Sequence, residues 1–520
     1  MYWANFLHFY QPAEQQPDVL EAIINQSYRP LIEGIRKRKR VNLTLNINGA
    51  LMELLDKYGY KDLIDGLREL SGEGRIEFTS SAKYHALLPF LSEDEIVRQI
   101  KMNDETNRFF LGDCYKPQGF FPPEMAYSEN LPAIISSLGF KWIILDEIAC
   151  DGFAGHVDPI RSNPAKRDAD AQAHRTSNGV DYKKIYKIAG SDLLVFFRER
   201  RLSNLIMSAV VRSRETLFEA MEEDLLSGRY LITAMDAETF GHHRPGLEKM
   251  LFDVLDSPEC ELIKISDIPS HYQEIKEISP IKSTWASSRN DIEENTQFLS
   301  WSDPENIIHK WQWKFTELVL REVNAMDKNH SRYDLVRKKT DLTLSSDHFW
   351  WASAKPWWSL EMIEVGAYRL LDTIRYIPDV SKEVLEEARD YYEKIITTAF
   401  NWQRTGKIRQ MMKEQKSILR IPFKDRTIGR GGAEEGVYWA FIDMMKRLEK
   451  EAAVKGEYEK AILWRDAIYK FENKLDIYDA INAIDLLRVE ISHKEVEETI
   501  EKYKDKYRQI RGGQPEQRGD

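Results

Sequence analysis

The chain has 520 residues, 42% of them hydrophobic and 31% charged, with a formal net charge of -11. That length suits two or more domains with ample cores, and the negative balance argues against nucleic acid as the main partner. No run is apolar for long enough to span a bilayer. The three cysteines, Cys114, Cys150 and Cys260, have neither metal-ligand spacing nor a disulfide framework, so a reducing compartment fits. The opening "MYWANFLHFYQP" lacks the basic flank and unbroken apolar stretch of a signal peptide. The cytoplasm is the expected location.

Seven short runs rich in β-formers follow one another through the first half, separated by segments of helical spacing, as in βα units with a parallel sheet. They are "YWANFLHF" from Tyr2, "VNLTLNI" from Val41, "IEFTS" from Ile76, "GFFPPE" from Gly119, "KWIILDE" from Lys141, "LLVFFRE" from Leu193 and "YLITAMDAE" from Tyr230. The basic run from Arg36 to Arg40 between the first two reads as a solvated helix end. Seven such units favour an α/β fold built on a distorted (β/α)7 barrel. His8, Glu77, Glu124, Glu147, Arg198 and Asp236 are expected at or just beyond the C-terminal ends of these runs. Barrel enzymes gather their catalytic groups on that rim. The polar segment between Asp151 and Gly190 is too long for an ordinary βα connection and is a candidate lid, or simply a disordered surface segment. From about Asp303 the pattern changes to long amphipathic helices, and the tail "RGGQPEQRGD" has the composition of a frayed terminus. The expected domains are the barrel over 1–275, a helical domain over 276–400 that contributes to the active-site cleft, and a C-terminal helical extension over 401–520.

Three clusters suggest chemistry. In "GFFPPEMAYS" two prolines stiffen the backbone just before Glu124, either to start a helix or to hold a carboxylate rigidly at a strand end. In "MDAETFGHH" an apolar strand delivers Asp236 and Glu238, of which Asp236 would otherwise cap a helix. Two carboxylates on two strand ends are what glycosidic cleavage needs: one attacks the anomeric carbon and the other protonates the departing oxygen. In "SSDHFWWASAKPWWS", Asp347 and His348 stand among Trp350, Trp351, Trp357 and Trp358. Eight of the 13 tryptophans fall between Trp285 and Trp358, which favours a sugar-stacking wall over core filling for the cluster as a whole.

The chain resembles glycoside hydrolase family 57, the retaining α-glucan-active enzymes, through five motifs in order: "LHFYQP" from Leu7, "GRIEFTSSAKYHALLP" from Gly74, "GFFPPEMAYS", "MDAETFGHH" and "SSDHFWW" from Ser345. The resemblance covers roughly the first 360 residues. It implies a distorted seven-stranded barrel, a nucleophile at Glu124 and a general acid/base at Asp236. It further implies that His8, Gln11, Glu77 and Asp347 hold the sugar beside the cleavage point, with His242, Trp350 and Trp351 also binding substrate. Arg198, in "FFRERRLSNLI", would lie near the nucleophile and keep it ionised. The implied activity is α-amylase, 4-α-glucanotransferase or branching enzyme on an α-glucan or oligosaccharide, with no cofactor or metal and no nucleic-acid or membrane partner. An α-galactoside substrate also falls within the family.

One departure is visible in the first motif. The family usually has histidine before Gln-Pro, and this chain has Tyr10, which keeps a hydroxyl for sugar contact but loses an imidazole's titration near neutral pH. Two other function classes stand beside the leading one. A metal-assisted deacetylase or mannosidase-like enzyme on a related barrel would need ligands from His8, His85, His242 and His243, which lack a helical His-x-x-x-His pair. A carbohydrate-binding protein of reduced or lost activity is the other. Oligomeric state is open.

Overall fold

The computed structural model describes residues 1–151, 179–209, 211–355, 357–414 and 433–473, with a few single positions up to 499. Most of the expected lid segment and the terminal tail lie outside these residues. All seven expected runs are strands: β1 (Tyr2–Phe9), β2 (Leu43–Ile47), β3 (Ile76–Ser80), β4 (Gly119–Phe120), β5 (Trp142–Asp146), β7 (Leu194–Arg198) and β8 (Tyr230–Asp236). Three further strands were not anticipated: β6 (Ile185–Ile188), β9 (Glu261–Leu262) and β10 (Ile275–Ile278). All are short; β10 is largely exposed, and the mostly buried β6 lies inside the segment expected as a lid, which it corrects at that point.

Sheet order is β10-β6-β7-β5-β4-β3-β2-β1-β8, with β9 pairing alongside β1. Pairing is parallel except between β6 and β7. The runs β2, β5 and β8 are almost continuously buried because helices and loops cover both faces of a parallel sheet. The sheet curls until β8 returns to β7. No regular ladder joins these two strands. A single backbone bond, Glu199 N to Ile232 O at 2.8 Å, spans the seam, and the Arg198 side chain fills it by donating from Nε to Ala234 O at 2.8 Å. Gly119 in β4 is required by packing, since a Cβ there would lie 2.1 Å from the Trp142 indole on β5.

The helices Ile307–Asn324, Tyr333–Thr343, Leu360–Tyr376 and Lys382–Thr405 enclose a core of their own around Phe315, Val319, Ile363 and Leu370. They join the barrel in one compact unit, Met1–Thr239 with Lys249–Met411. Part of that attachment is ionic. Arg337 reaches Glu95 at 2.5 Å and Asp341 at 3.0 Å, and Asp341, 1% exposed, also holds Arg98 at 2.6 Å. The second unit combines Phe240–Glu248 with Met412–Asp520, and in it the helices Ala433–Val454 and Tyr458–Asn473 pack around Trp464. Among the described residues no helix is long and apolar enough to cross a membrane.

Candidate active site

Glu124 follows β4 in a tight turn over Pro123–Met125, so the prolines do not start a long helix. Its backbone is left-handed, φ 62° and ψ 14°, and Met125 follows at φ 48°. Such a conformation costs a non-glycine residue on the order of 1–3 kcal/mol and persists where the surroundings impose it, as functional sites often do. The surroundings here are specific. Trp285 N donates to Glu124 O at 3.1 Å, and the Trp285 indole Nε1 donates to Glu124 Oε2 at 2.7 Å. Oε1 lies 3.8 Å from His85 Nδ1, too far for a hydrogen bond. The carboxylate therefore keeps one oxygen tied and one oxygen open, with its side chain 18% exposed.

Asp236 ends β8 and stands in register with His8 of β1, so adjacent strands deliver both to the same rim. Burial pushes the Glu124 carboxyl up to about 8, and the nearby charges of Asp236 and Asp347 push in the same direction, opposed by the Trp285 hydrogen bond. Burial likewise raises Asp236 to about 6, with Arg198 pulling it down. The Asp236 charge thus opposes the ionisation of Glu124, as it does that of Glu238.

Around them is a polar ring. His8 Nδ1 meets Asn46 Oδ1 at 2.8 Å, and Asn46 Nδ2 is itself committed to Thr79 Oγ1 at 3.1 Å. That network assigns the proton to His8 Nδ1 and leaves Nε2 as a buried acceptor with no partner among the described residues. His85, in the left-handed region at φ 56°, bonds Ser346 Oγ through Nδ1 at 3.0 Å, and its Nε2 is also buried and unpartnered. Burial holds both imidazoles neutral, with His85 lowered to about 3. The Tyr10 ring stacks on His85 at 4.2 Å, and its hydroxyl donates to Asp347 Oδ2 at 2.6 Å. Ser345 Oγ donates to the same oxygen. Burial raises the Asp347 carboxyl against these two donors. A bridge between Ala86 and Ser345, with Ser346 N donating to His85 O at 3.2 Å, pins this helical-region loop to the barrel rim.

Residues 4–279, a little over half of the chain, match the family described as Glycosyl hydrolase family 57. The chain belongs to that family. An alpha-amylase of Pyrococcus horikoshii is 25% identical over 248 residues, 48% of this family 57 chain and 35% of the relative. A 4-alpha-glucanotransferase of Thermococcus litoralis is 25% identical over 141 residues, 27% of this chain and 21% of the relative. The matched regions thus span about a third or less of these curated relatives' own length. Among solved structures, a branching enzyme from Thermococcus kodakaraensis superposes with a TM-score of 0.58 at 16% identity, covering 77% of this chain and 96% of that one. The 4-alpha-glucanotransferase structure from Thermococcus litoralis gives 0.53 at 16% identity, over 72% of this chain and 60% of that one. These likenesses establish a shared α/β barrel with a helical region.

The structure brings Glu124, Asp236, His8 and Asp347 into one neighbourhood, and it corrects three expectations about their companions. Glu77 is the second residue of β3, at the opposite end of the strand from the rim. Its Oε1 accepts from Thr44 Oγ1 at 2.7 Å and from Ser266 N at 3.1 Å, so it ties strands together below the site. Arg198 does not serve Glu124. Its Nη1 holds Asp146 Oδ2 at 2.6 Å and its charge acts on Asp236. Gln11 is occupied: Nε2 donates to Glu238 Oε1 at 2.7 Å and Oε1 accepts from Gln15 at 2.7 Å. It positions Glu238, a carboxyl that burial and Asp236 raise to about 8.

Trp350 packs on a small cluster of Leu87, Ala126, Trp301 and Phe349, beside the His85 and Glu124 segments, and stacks on Trp357 at 4.5 Å. Trp351 meets Trp350 edge-on at 4.9 Å. Glu147 follows β5 and accepts from the Tyr182 hydroxyl at 3.0 Å. His242 lies against His243 in the segment that groups with the C-terminal unit. Sequence reasoning did not place His85 and Trp285 beside Glu124. His85 stands in the second motif downstream of Glu77, the more conspicuous titratable group there, and figures only among possible metal ligands. Trp285 stands in no motif.

Proposed function

We propose that this chain is a retaining glycosidase or glycosyltransferring enzyme on α-linked glucans, with Glu124 as nucleophile and Asp236 as general acid/base. The observation that carries the reading is the pair of half-buried carboxyls at the ends of β4 and β8, one with an open oxygen, ringed by neutral imidazoles whose nitrogens, unpartnered among the described residues, suit sugar hydroxyls. Family membership and relatives named as alpha-amylase, 4-alpha-glucanotransferase and branching enzyme support it.

In the first half-reaction Glu124 Oε1 bonds to the anomeric carbon as the glycosidic bond breaks, and the Asp236 proton goes to the leaving oxygen. In the second, Asp236 takes a proton from water or from an acceptor hydroxyl, whose oxygen displaces Glu124. His8 Nε2 accepts a sugar hydroxyl, and Asp347, oriented by Tyr10 and Ser345, accepts another. Trp350 and Trp351 line the approach. The Tyr10 hydroxyl is spent on Asp347, so its first effect on substrate choice is through that carboxylate.

Incubation with maltooligosaccharides, amylose and glycogen, followed by chain-length and linkage analysis, tests the reading. Shortened chains with retained anomeric configuration, redistributed lengths or new branch points each support it and separate hydrolysis, disproportionation and branching. Binding of these glucans without any change in length or linkage overturns it in favour of a carbohydrate-binding protein.

A further inference from the structure

Trp285 lies beyond the matched residues 4–279 and outside all five motifs, yet it makes a direct hydrogen bond to the Glu124 carboxylate. We propose that Trp285 is the positioning residue of the nucleophile: its indole N–H fixes one carboxylate oxygen, aims the other at the anomeric carbon and holds the negative charge that attack requires. The proposal rests on the reading of Glu124 as nucleophile and adds a residue to it.

The placement is built by backbone and by buried charge. Tyr127 N donates to Ser283 O at 2.9 Å and Trp285 N to Glu124 O at 3.1 Å, so the segment 283–285 runs alongside the left-handed turn. Arg200 Nη2 then grips the Trp285 carbonyl at 3.1 Å and the Ser287 carbonyl at 2.5 Å, while its Nη1 holds Asp146 Oδ1 at 2.9 Å. The other oxygen of Asp146 holds Arg198, the cation that acts on Asp236. Asp146 is 1% exposed and Arg200 5%. One buried carboxylate therefore anchors both the donor on Glu124 and the cation beside Asp236.

The groups facing Glu124 are neutral His85 from the loop after β3, Tyr10 from the segment after β1, Asp236 from β8 and Asp347 from the short helix Asp347–Trp350. Both carboxylates oppose its ionisation, and Trp285 counters them. An indole N–H suits that task because it donates without accepting and does not titrate, so it cannot compete for the proton that Asp236 needs. In the glycosyl-enzyme, Oε2 becomes the ester carbonyl oxygen and the same donor can stay on it while water or an acceptor displaces Oε1.

The test replaces Trp285 with benzothienylalanine, which keeps the bicyclic shape and removes the N–H, and in parallel makes Trp285→Phe. Glu124 is titrated by 13C NMR of carboxyl-labelled glutamate, assigned by the signal missing from Glu124→Gln, and kcat/KM is measured against pH. Loss of a hydrogen bond to a charged group should raise the Glu124 midpoint by about one to two pH units. The upper limb of kcat/KM should move with it, and kcat should fall about tenfold or more with KM little changed. An unmoved midpoint in the benzothienylalanine protein overturns the proposal. The titration needs no turnover, so a wild-type protein inactive on every glucan would remove the nucleophile reading while the midpoint still decides whether Trp285 governs this carboxylate.

Discussion

The ionisation of Glu124 and Asp236 makes the strongest demand on experiment. In the proposed mechanism the working form carries one proton, on Asp236, and one charge, on Glu124. Without substrate the higher value belongs to Glu124, so the proton rests mainly there and must pass to Asp236 before attack. Below about pH 6 both carboxyls are protonated and attack fails; above about pH 8 both are ionised and no acid remains for the leaving oxygen. A bell-shaped kcat/KM profile with limbs near these values is expected, and a flat profile across that window would contradict these two roles. Asp347 supplies a second prediction. Its Oδ2 is saturated by Tyr10 and Ser345, which leaves Oδ1 for the sugar. Losing a charged hydrogen bond of about 1.5–3 kcal/mol should lower kcat/KM roughly ten- to a hundred-fold in Asp347→Ala without unfolding the protein. Steady-state kinetics beside a melting curve checks both halves of that statement.

At the scale of elements, the seven main strands were legible because each is a buried apolar run bounded by turns, and the expected α/β barrel followed from them. The ends of those strands were harder to read. Glu77 and Asp236 each look like a polar residue at the edge of an apolar run, but one enters its strand and the other leaves it. Only strand direction and register separate the two, and register is set by partners far away in sequence. His85 was hidden for a related reason: it reaches the site by a left-handed turn after β3, and that turn carries no glycine to announce it. Trp285 was hidden because a tryptophan that donates to a carboxylate and one that fills a core are the same letter. Glu77→Ala should therefore leave kcat/KM near wild type and destabilise the fold by about 1–3 kcal/mol, since Thr44 and Ser266 lose their acceptor. A large activity loss with an unchanged melting temperature would return Glu77 to the sugar.

For the molecule as a whole, the helical region matters to the site through Asp347, and the buried ions Glu95, Arg337 and Asp341, with the half-exposed Arg98, help hold that region in place. Removing one partner from such a group leaves charges buried and uncompensated. Asp341→Ala is expected to cost about 3–5 kcal/mol, read as a lowered denaturation midpoint. The pairing of β1 with β8 carries a different kind of consequence. His8 opposes Asp236 in that ladder across more than two hundred intervening residues. Contacts so distant in sequence close late, because the loop entropy must be overcome before any pairing rewards it. The neighbouring contacts of β1 with β2, and of β2 with β3, can form while Asp236 is still far away. Refolding should thus recover helical circular dichroism first and competence last, for the centre is assembled by one of the two longest closures in the sheet.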